Sequence, residues 1–277
     1  MMPHFPVHGA GLGLRRPYLA AFGEAPPVGV DFLEIAPENW LDADARQRRA
    51  LAHIAERVPL VCHGLLLNLG GVDPLDLAFL RRLKPFLDRH NVRCYGDHLS
   101  FCGEAGLLYE LLPMPFTTEA VAHLARRIRV VQDLLERRIA VENPSYYCTL
   151  ANDLTESEFL NAVLVQADCD LLLDLNNLYV NSCNHRYEAG DFLRSLPAKR
   201  IAYGHVAGHQ RAADGLLIDT HGAAVSRAVW QLLRQAYAHF GVFPTLLERD
   251  ENLPALGELL VEIEQLRVIQ RGLVTPD

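Results

Sequence analysis

Short apolar runs alternate along the chain with longer stretches in which apolar residues recur every three or four positions. Eight of the short runs predict strands: GLGLR (11–15), VDFLEI (30–35), VPLVCH (58–63), VRCYGDH (92–98), IAVEN (139–143), DLLLDL (170–175), RIAYGHV (200–206) and PTLLERD (244–250). The stretches between them carry helix signals. Asp42 to Glu56 has the polar-rich character of a surface helix. Asp73 is a good N-cap for a helix from Pro74 to His90, with Leu77, Phe79 and Leu80 facing inward. Val121, Leu124, Ile128 and Val131 predict a helix over Thr118 to Glu136. Thr155-x-x-Glu158 is a capping box opening a helix that runs to Gln166. A helix from Ala223 to Phe240 stops at Gly241. A last one, Pro254 to Ile269, is capped by Asn252 and aligns Leu256, Leu259, Leu260, Ile263 and Leu266 on one face. The NSCNH segment after the sixth run is expected to be a loop.

Eight strands alternating with helices predict one TIM (β/α)8 barrel domain spanning residues 1–277. The competing architecture, a doubly wound open sheet, needs a Gly-rich phosphate turn that opens a capped helix. GAGLGLR instead leads into Arg15-Arg16-Pro17, a poor match.

Bulk properties narrow the function. A chain of 277 residues, half of them hydrophobic, suits one large domain with a full core. The net charge of -8 and the absence of a Lys/Arg run leave no nucleic-acid footprint. The six cysteines form no CxxC pair and are expected to be reduced thiols of a cytoplasmic protein. No secretory signal is expected at the first residues. Nor is a membrane expected as a partner, since no run reaches ~18 uncharged apolar residues.

The candidate chemistry sits where the strands end. His63, His98, Glu142, Asp174, His205 and Glu248 close six of the apolar runs. Each alone is as well explained by a satisfied core histidine or a capped turn. Together they would converge at the C-terminal mouth of a barrel, where distant sequence builds one metal site. Asp219 and His221, two residues apart, would reach one side of an extended segment, and the Asn176 amide oxygen is a legitimate hard ligand. So many donors exceed one ion's needs and fit two or three ions, with Glu142, Asp174 and Glu248 as bridges and catalytic carboxylates. His185 and His209 are further candidates without an assigned role. Glu34 and the Glu38-Asn39-Trp40 segment follow the second run and are candidates to line the mouth. Asp97 could orient a neighbouring group, and Tyr146-Tyr147 and the LLLNLGG loop could meet substrate.

With these motifs in order, the chain resembles the multinuclear non-heme iron-dependent oxidative enzymes (MNIO), once an uncharacterised family, related to methanobactin and bufferin biosynthesis. The likeness runs from GLGLR through DFLEIAPENW, HGLLLNLGG, GDHLSF, VENPS, LLLDLNNLYVNSCNH, YGHVAGH and LIDTHG to LLERDENLP. It implies a xylose-isomerase-like TIM barrel with two or three iron ions at the strand ends and O2 as cosubstrate. It implies an oxidoreductase that modifies a ribosomally made precursor peptide, often at cysteine, sometimes with a leader-binding partner protein. Carried over by motif, the implied metal ligands are His63, His98, Glu142, Asp174, Asn176, His205, Asp219, His221 and Glu248. The family's HGxSLS pattern departs here, with Leu66 and Asn68 in place of the serines. The same donor set, taken without the resemblance, equally suits a zinc- or manganese-dependent hydrolase or sugar isomerase.

Overall fold

The computed structural model describes residues 5–103, 106, 108, 110–150 and 152–273. Its strands are β1 (Ala10–Gly13), β2 (Phe32–Ile35), β3 (Leu60–His63), β4 (Tyr95–His98), β5 (Ala140–Glu142), β6 (Asp170–Asp174), β7 (Ile201–Val206), β8 (Gln210–Arg211), β9 (Leu217–Ile218) and β10 (Thr245–Leu247). All but β8 and β9 pair in parallel and close a barrel in the order β1-β10-β7-β6-β5-β4-β3-β2. The closed barrel excludes the open doubly wound sheet. Strands β8 and β9 form a small antiparallel ribbon in the segment after β7.

Helices α1 (Leu19–Glu24), α2 (Glu38–Leu41), α3 (Ala45–Ala55), α4 (Leu77–Arg89), α5 (Thr118–Leu135), α6 (Glu156–Ala167), α7 (Leu175–His185), α8 (Ala189–Ser195), α9 (Arg227–Phe240) and α10 (Leu256–Leu273) surround it. Several helix starts differ from expectation. The cap of α4 is Asp76, which accepts from the Phe79 amide, so Pro74 lies before the helix and Leu77 faces out. Helix α3 begins at a capping box of Asp44 and Gln47. Helix α9 is capped by Ser226. Asn252 does not cap α10; it takes a left-handed conformation and donates to the Gly222 carbonyl. The capping box at Thr155 and Glu158 is present as expected. The NSCNH segment is the end of α7 and not a loop, because Asp174 accepts from the Asn177 amide and starts a helix directly at the strand end. No helix among the described residues is long and apolar enough to cross a membrane.

Pleating builds the barrel interior in layers. Phe32, Val61, Ala140, Leu172, Tyr203 and Leu246 belong to one buried cluster inside the barrel. Gly11 makes room for it: a Cβ there would lie 2.4 Å from the Phe32 ring. Two residues further along the same strands come Glu34, His63, Glu142, Asp174, His205 and Glu248, joined by His98 of β4. The intervening residues Leu33, Cys62, Val141, Leu173 and Leu247 face outward into the larger core under the helices.

Candidate metal centre

Seven of the eight barrel strands thus deliver a carboxylate or imidazole into one layer above the apolar floor. The eighth, β1, delivers Gly13, over which the Arg15 guanidinium folds; a Cβ there would meet it at 3.4 Å. Arg15 lies 3.6 Å from Glu248 and pairs with Asp250, tying the first strand's loop to the last.

The donor atoms form linked groups. His63 Nε2 lies 2.5 Å from Glu142 Oε2 and 3.1 Å from His98 Nε2, and His98 Nε2 lies 3.0 Å from the same carboxylate oxygen. Donors bonded at right angles to one ion at roughly 2.1 Å lie roughly 3 Å apart, so this spacing suits a shared cation. Among the described residues, four groups of three meet the geometry for an ion: His63, His98 and Glu142; Glu142, Asp174 and His205; Asp174, His221 and Glu248; and Glu34, His205 and Glu248. Glu142, Asp174, His205 and Glu248 each occur in two of them, so three carboxylates are shared between groups.

Several buried donors lack any hydrogen-bond partner: His63 Nδ1, His98 Nδ1, Asp174 Oδ2, His205 Nδ1 and His221 Nε2. His205 Nδ1 lies 2.9 Å from Glu248 Oε2, and His221 Nε2 lies 2.7 Å from Asp219 Oδ1, yet neither contact is aligned as a hydrogen bond. Buried polar atoms left this way are costly, and close unaligned pairs of Lewis bases are what a cation satisfies. The donor set therefore fits divalent metal.

The electrostatics agree. Burial favours the neutral forms of these groups, and in His98, His205, His221, Glu142 and Glu248 their neighbours override it. Against burial, Glu142 and Asp97 raise His98 well above 6.5, and Glu34 and Glu248 do the same for His205. Asp219 and Glu248 likewise raise His221. Against burial, His63 and His98 hold Glu142 well below 4.5, and His205 and His221 hold Glu248 below it. Asp174 goes the other way: burial and then the Glu142 charge push it well above 3.8. Protons and metal ions are alternative ways to balance the same carboxylates.

Other predicted residues take distinct places. Asn176 donates to Asp219 Oδ1 at 2.7 Å, and its amide oxygen faces His209 Nδ1 at 2.8 Å. Asp219 and Asn176 thus stand beside His221 at the edge of the cluster, outside the four groups. His221 has a left-handed backbone (φ 47°), not the extended one expected of this segment. His185 is occupied with Tyr146, stacking on its ring and lying 2.9 Å from its carbonyl. Tyr146 is itself buried and donates to Glu156, which burial raises to about 7 and which Tyr187 also contacts. The Tyr147 hydroxyl accepts from the Asp219 amide, and Ser145 donates to the Asp219 carboxylate.

A cavity of about 490 Å³ opens over His63, His98, Glu142 and His221. Leu65, Leu66, Leu108 and Leu111 form one apolar wall of it. Glu38 Oε1 accepts from the amides of Leu65 and Leu66 and holds that wall in place. Asn68 staples the same loop to the next, accepting from Cys102 and donating to Gly103. Two supports have roles that position along the chain does not give. Asn177 donates to Glu142 Oε1, and Glu34 lies buried in the same layer as the strand-end donors, against His205. The layer of the second, though not its contact, was available as a spacing: Glu34 follows Phe32 by the same two residues that separate Leu172 from Asp174.

Residues 9–271 match the family described as RiPP precursor modification enzyme MbnB/TglH/ChrH. A UPF0276 protein of Pseudomonas aeruginosa (strain UCBPP-PA14) is 52% identical, with 96% of this chain and 93% of that protein covered. One of Shewanella sediminis (strain HAW-EB3) is 50% identical, with 95% and 94% covered. Among solved structures, D-psicose 3-epimerase of Clostridium cellulolyticum H10 superposes with TM-score 0.61 at 15% identity, covering 96% of this chain and 97% of that one. A xylose isomerase domain protein of Planctomyces limnophilus gives TM-score 0.61 at 12% identity, covering 98% and 99%. At that identity the likeness establishes the xylose-isomerase-like barrel.

Proposed function

The chain belongs to the MbnB/TglH/ChrH family of enzymes that modify RiPP precursors, and from that premise we propose that it is a multinuclear iron-dependent oxidase. Its substrate is a ribosomally made precursor peptide, modified at cysteine or another residue with O2 as cosubstrate. A leader-binding protein is a candidate partner. The observation that carries the reading is the linkage of the donor groups through Glu142, Asp174 and Glu248. A mononuclear hydrolase needs three or four ligands and no such chain of shared carboxylates.

His63, His98, Glu142, Asp174, His205 and Glu248 hold the metals, with His221, Asp219 and Asn176 completing the set on the β7 side. Iron, when bound, supplies one-electron chemistry with O2 and an affinity for thiolate that no side chain here provides. The protein supplies geometry. Asn177 orients Glu142 from outside the cluster. The backbone oxygen of Asp174 and its amide are both held by Asn143, which fixes that bridging carboxylate. The partly exposed leucine wall offers the peptide an apolar surface beside the donor cluster.

The test is turnover with defined metals. Protein loaded anaerobically with iron(II) should consume O2 and change the mass of a cysteine-containing precursor peptide. Zinc-loaded protein should do neither. Equal modification with zinc and without O2, or activity retained in His63→Ala and Glu248→Ala, would refute it.

A further inference from the structure

Within the group of Glu34, His205 and Glu248, the two carboxylates flank opposite edges of the imidazole. Glu34 Oε2 lies 3.0 Å from His205 Nε2 and accepts a hydrogen bond from the Tyr203 hydroxyl at 2.6 Å. The other ring nitrogen, Nδ1, lies 2.9 Å from Glu248 and 3.7 Å from Asp174. The two nitrogens of an imidazole point away from each other, so Glu34 and Glu248 meet opposite edges of the ring. In a neutral imidazole one nitrogen carries the proton and the other the lone pair, and the partner of the first decides which.

We propose that Glu34 is a positioning residue that accepts the Nε2 proton of His205 and so presents the Nδ1 lone pair to the Glu248 and Asp174 side. Nε2 meets Glu34 in hydrogen-bond geometry while Nδ1 has no aligned hydrogen-bond partner, so with His205 and Glu34 both buried the ring proton belongs on Nε2. Tyr203 holds Glu34 in place for this task. It sits two residues before His205 on the same strand, its ring meets the imidazole edge-on at 5.5 Å, and its hydroxyl occupies the same carboxylate oxygen. Carboxylate partners of this kind fix ring orientation and raise ligand basicity at metal sites.

The inference rests on the metal-centre reading, and the experiment separates the two. Iron(II) affinity is measured anaerobically by competition with a chromophoric chelator, for the native chain and for Glu34→Ala, Glu34→Gln and Tyr203→Phe. Melting temperatures of the metal-free proteins are recorded alongside. Glu34→Ala should bind one or more equivalents about 10- to 100-fold more weakly. Glu34→Gln, whose amide oxygen still accepts from Nε2, should lose less, and Tyr203→Phe least. In the zinc-loaded native protein, two-bond proton–nitrogen spectra should place the His205 proton on Nε2, and Glu34→Ala should lose that single tautomer. A proton on Nδ1 overturns the proposal. So does a lowered metal-free melting temperature with unchanged affinity, which marks a structural role. Loss of a whole equivalent in Glu34→Gln also overturns it, by making Glu34 a direct ligand. If Glu34→Ala does not fold, Glu34→Gln and the native spectrum still decide. A native chain that binds no iron(II) refutes the metal reading itself.

Discussion

Two layers inside the same barrel differ by two residues per strand and by almost everything else. The lower layer is Phe32, Val61, Ala140, Leu172, Tyr203 and Leu246, packed as one apolar floor. The upper layer is Glu34, His63, His98, Glu142, Asp174, His205 and Glu248, equally buried but ionisable. The strands that carry them are the same, so backbone geometry cannot be the cause of the difference. One pleat period separates a set of residues that stabilises the fold from a set that burdens it with desolvated charge. The lower layer and the helix-covered outer core stabilise the barrel; on the proposed reading the upper layer is kept for the metal it would hold.

The sharpest way to break this contrast is to exchange the consequences. Glu142→Gln should leave a folded barrel by circular dichroism yet reduce bound metal and bring turnover to background, because it removes a donor shared by two groups. Retained metal content would show that Glu142 is only a buried ion-pair partner of His63 and His98. Leu172→Ala should do the reverse. Removing this fully buried side chain from the floor should cost about 2–5 kcal/mol in urea unfolding with chelator present. Metal per folded chain should stay constant. A loss of metal equal to that in Glu142→Gln would show that the layers do not act separately.

A smaller effect separates the layers by pH. His98, His205 and His221 titrate above 6.5 in the folded chain, so the stability their protons contribute is full below about pH 6.5. It is lost as pH rises through the raised values. Asp174, raised by burial, adds a cost in the same direction. Glu142 and Glu248 are depressed, so their contribution is present above 4.5 and disappears only in stronger acid. Metal-free protein should therefore melt lower at pH 8 than at pH 6. Metal requires the same groups deprotonated, so the gain in melting temperature on adding iron(II) should grow over that interval. Equal gains at both values would contradict this. The smallest effect belongs to the cavity wall. Leu66 is 37% exposed, so Leu66→Ser should change stability by no more than about 0.5 kcal/mol. It should raise the KM for the peptide more than it lowers kcat if the wall contacts substrate.

The architecture was legible because each strand announced itself as a short apolar run, and all eight predicted runs overlap a barrel strand. Helix starts were less so. Asp73 and Asp76 are both acceptable caps by residue type, and the chain uses Asp76. Helix α7 was hidden because Asp174 ends a strand and caps a helix at once, leaving no loop residues to mark the change. In the candidate site, side chains at strand ends could be named from position alone. Those one layer out could not. Asn177, Asn143 and Tyr203 act through contacts between distant segments, and the Glu38 grip on Leu65 and Leu66 joins the start of α2 to the loop after β3. Glu34 was visible at its strand end, but its contacts with Tyr203 and His205 were not, since both lie on the distant β7.

The most direct test of the account is the metal content of the chain purified without oxygen, measured by plasma mass spectrometry and counted per folded protein. The account predicts two or three equivalents of iron. A single equivalent, or zinc in place of iron at full occupancy with turnover intact, would contradict it.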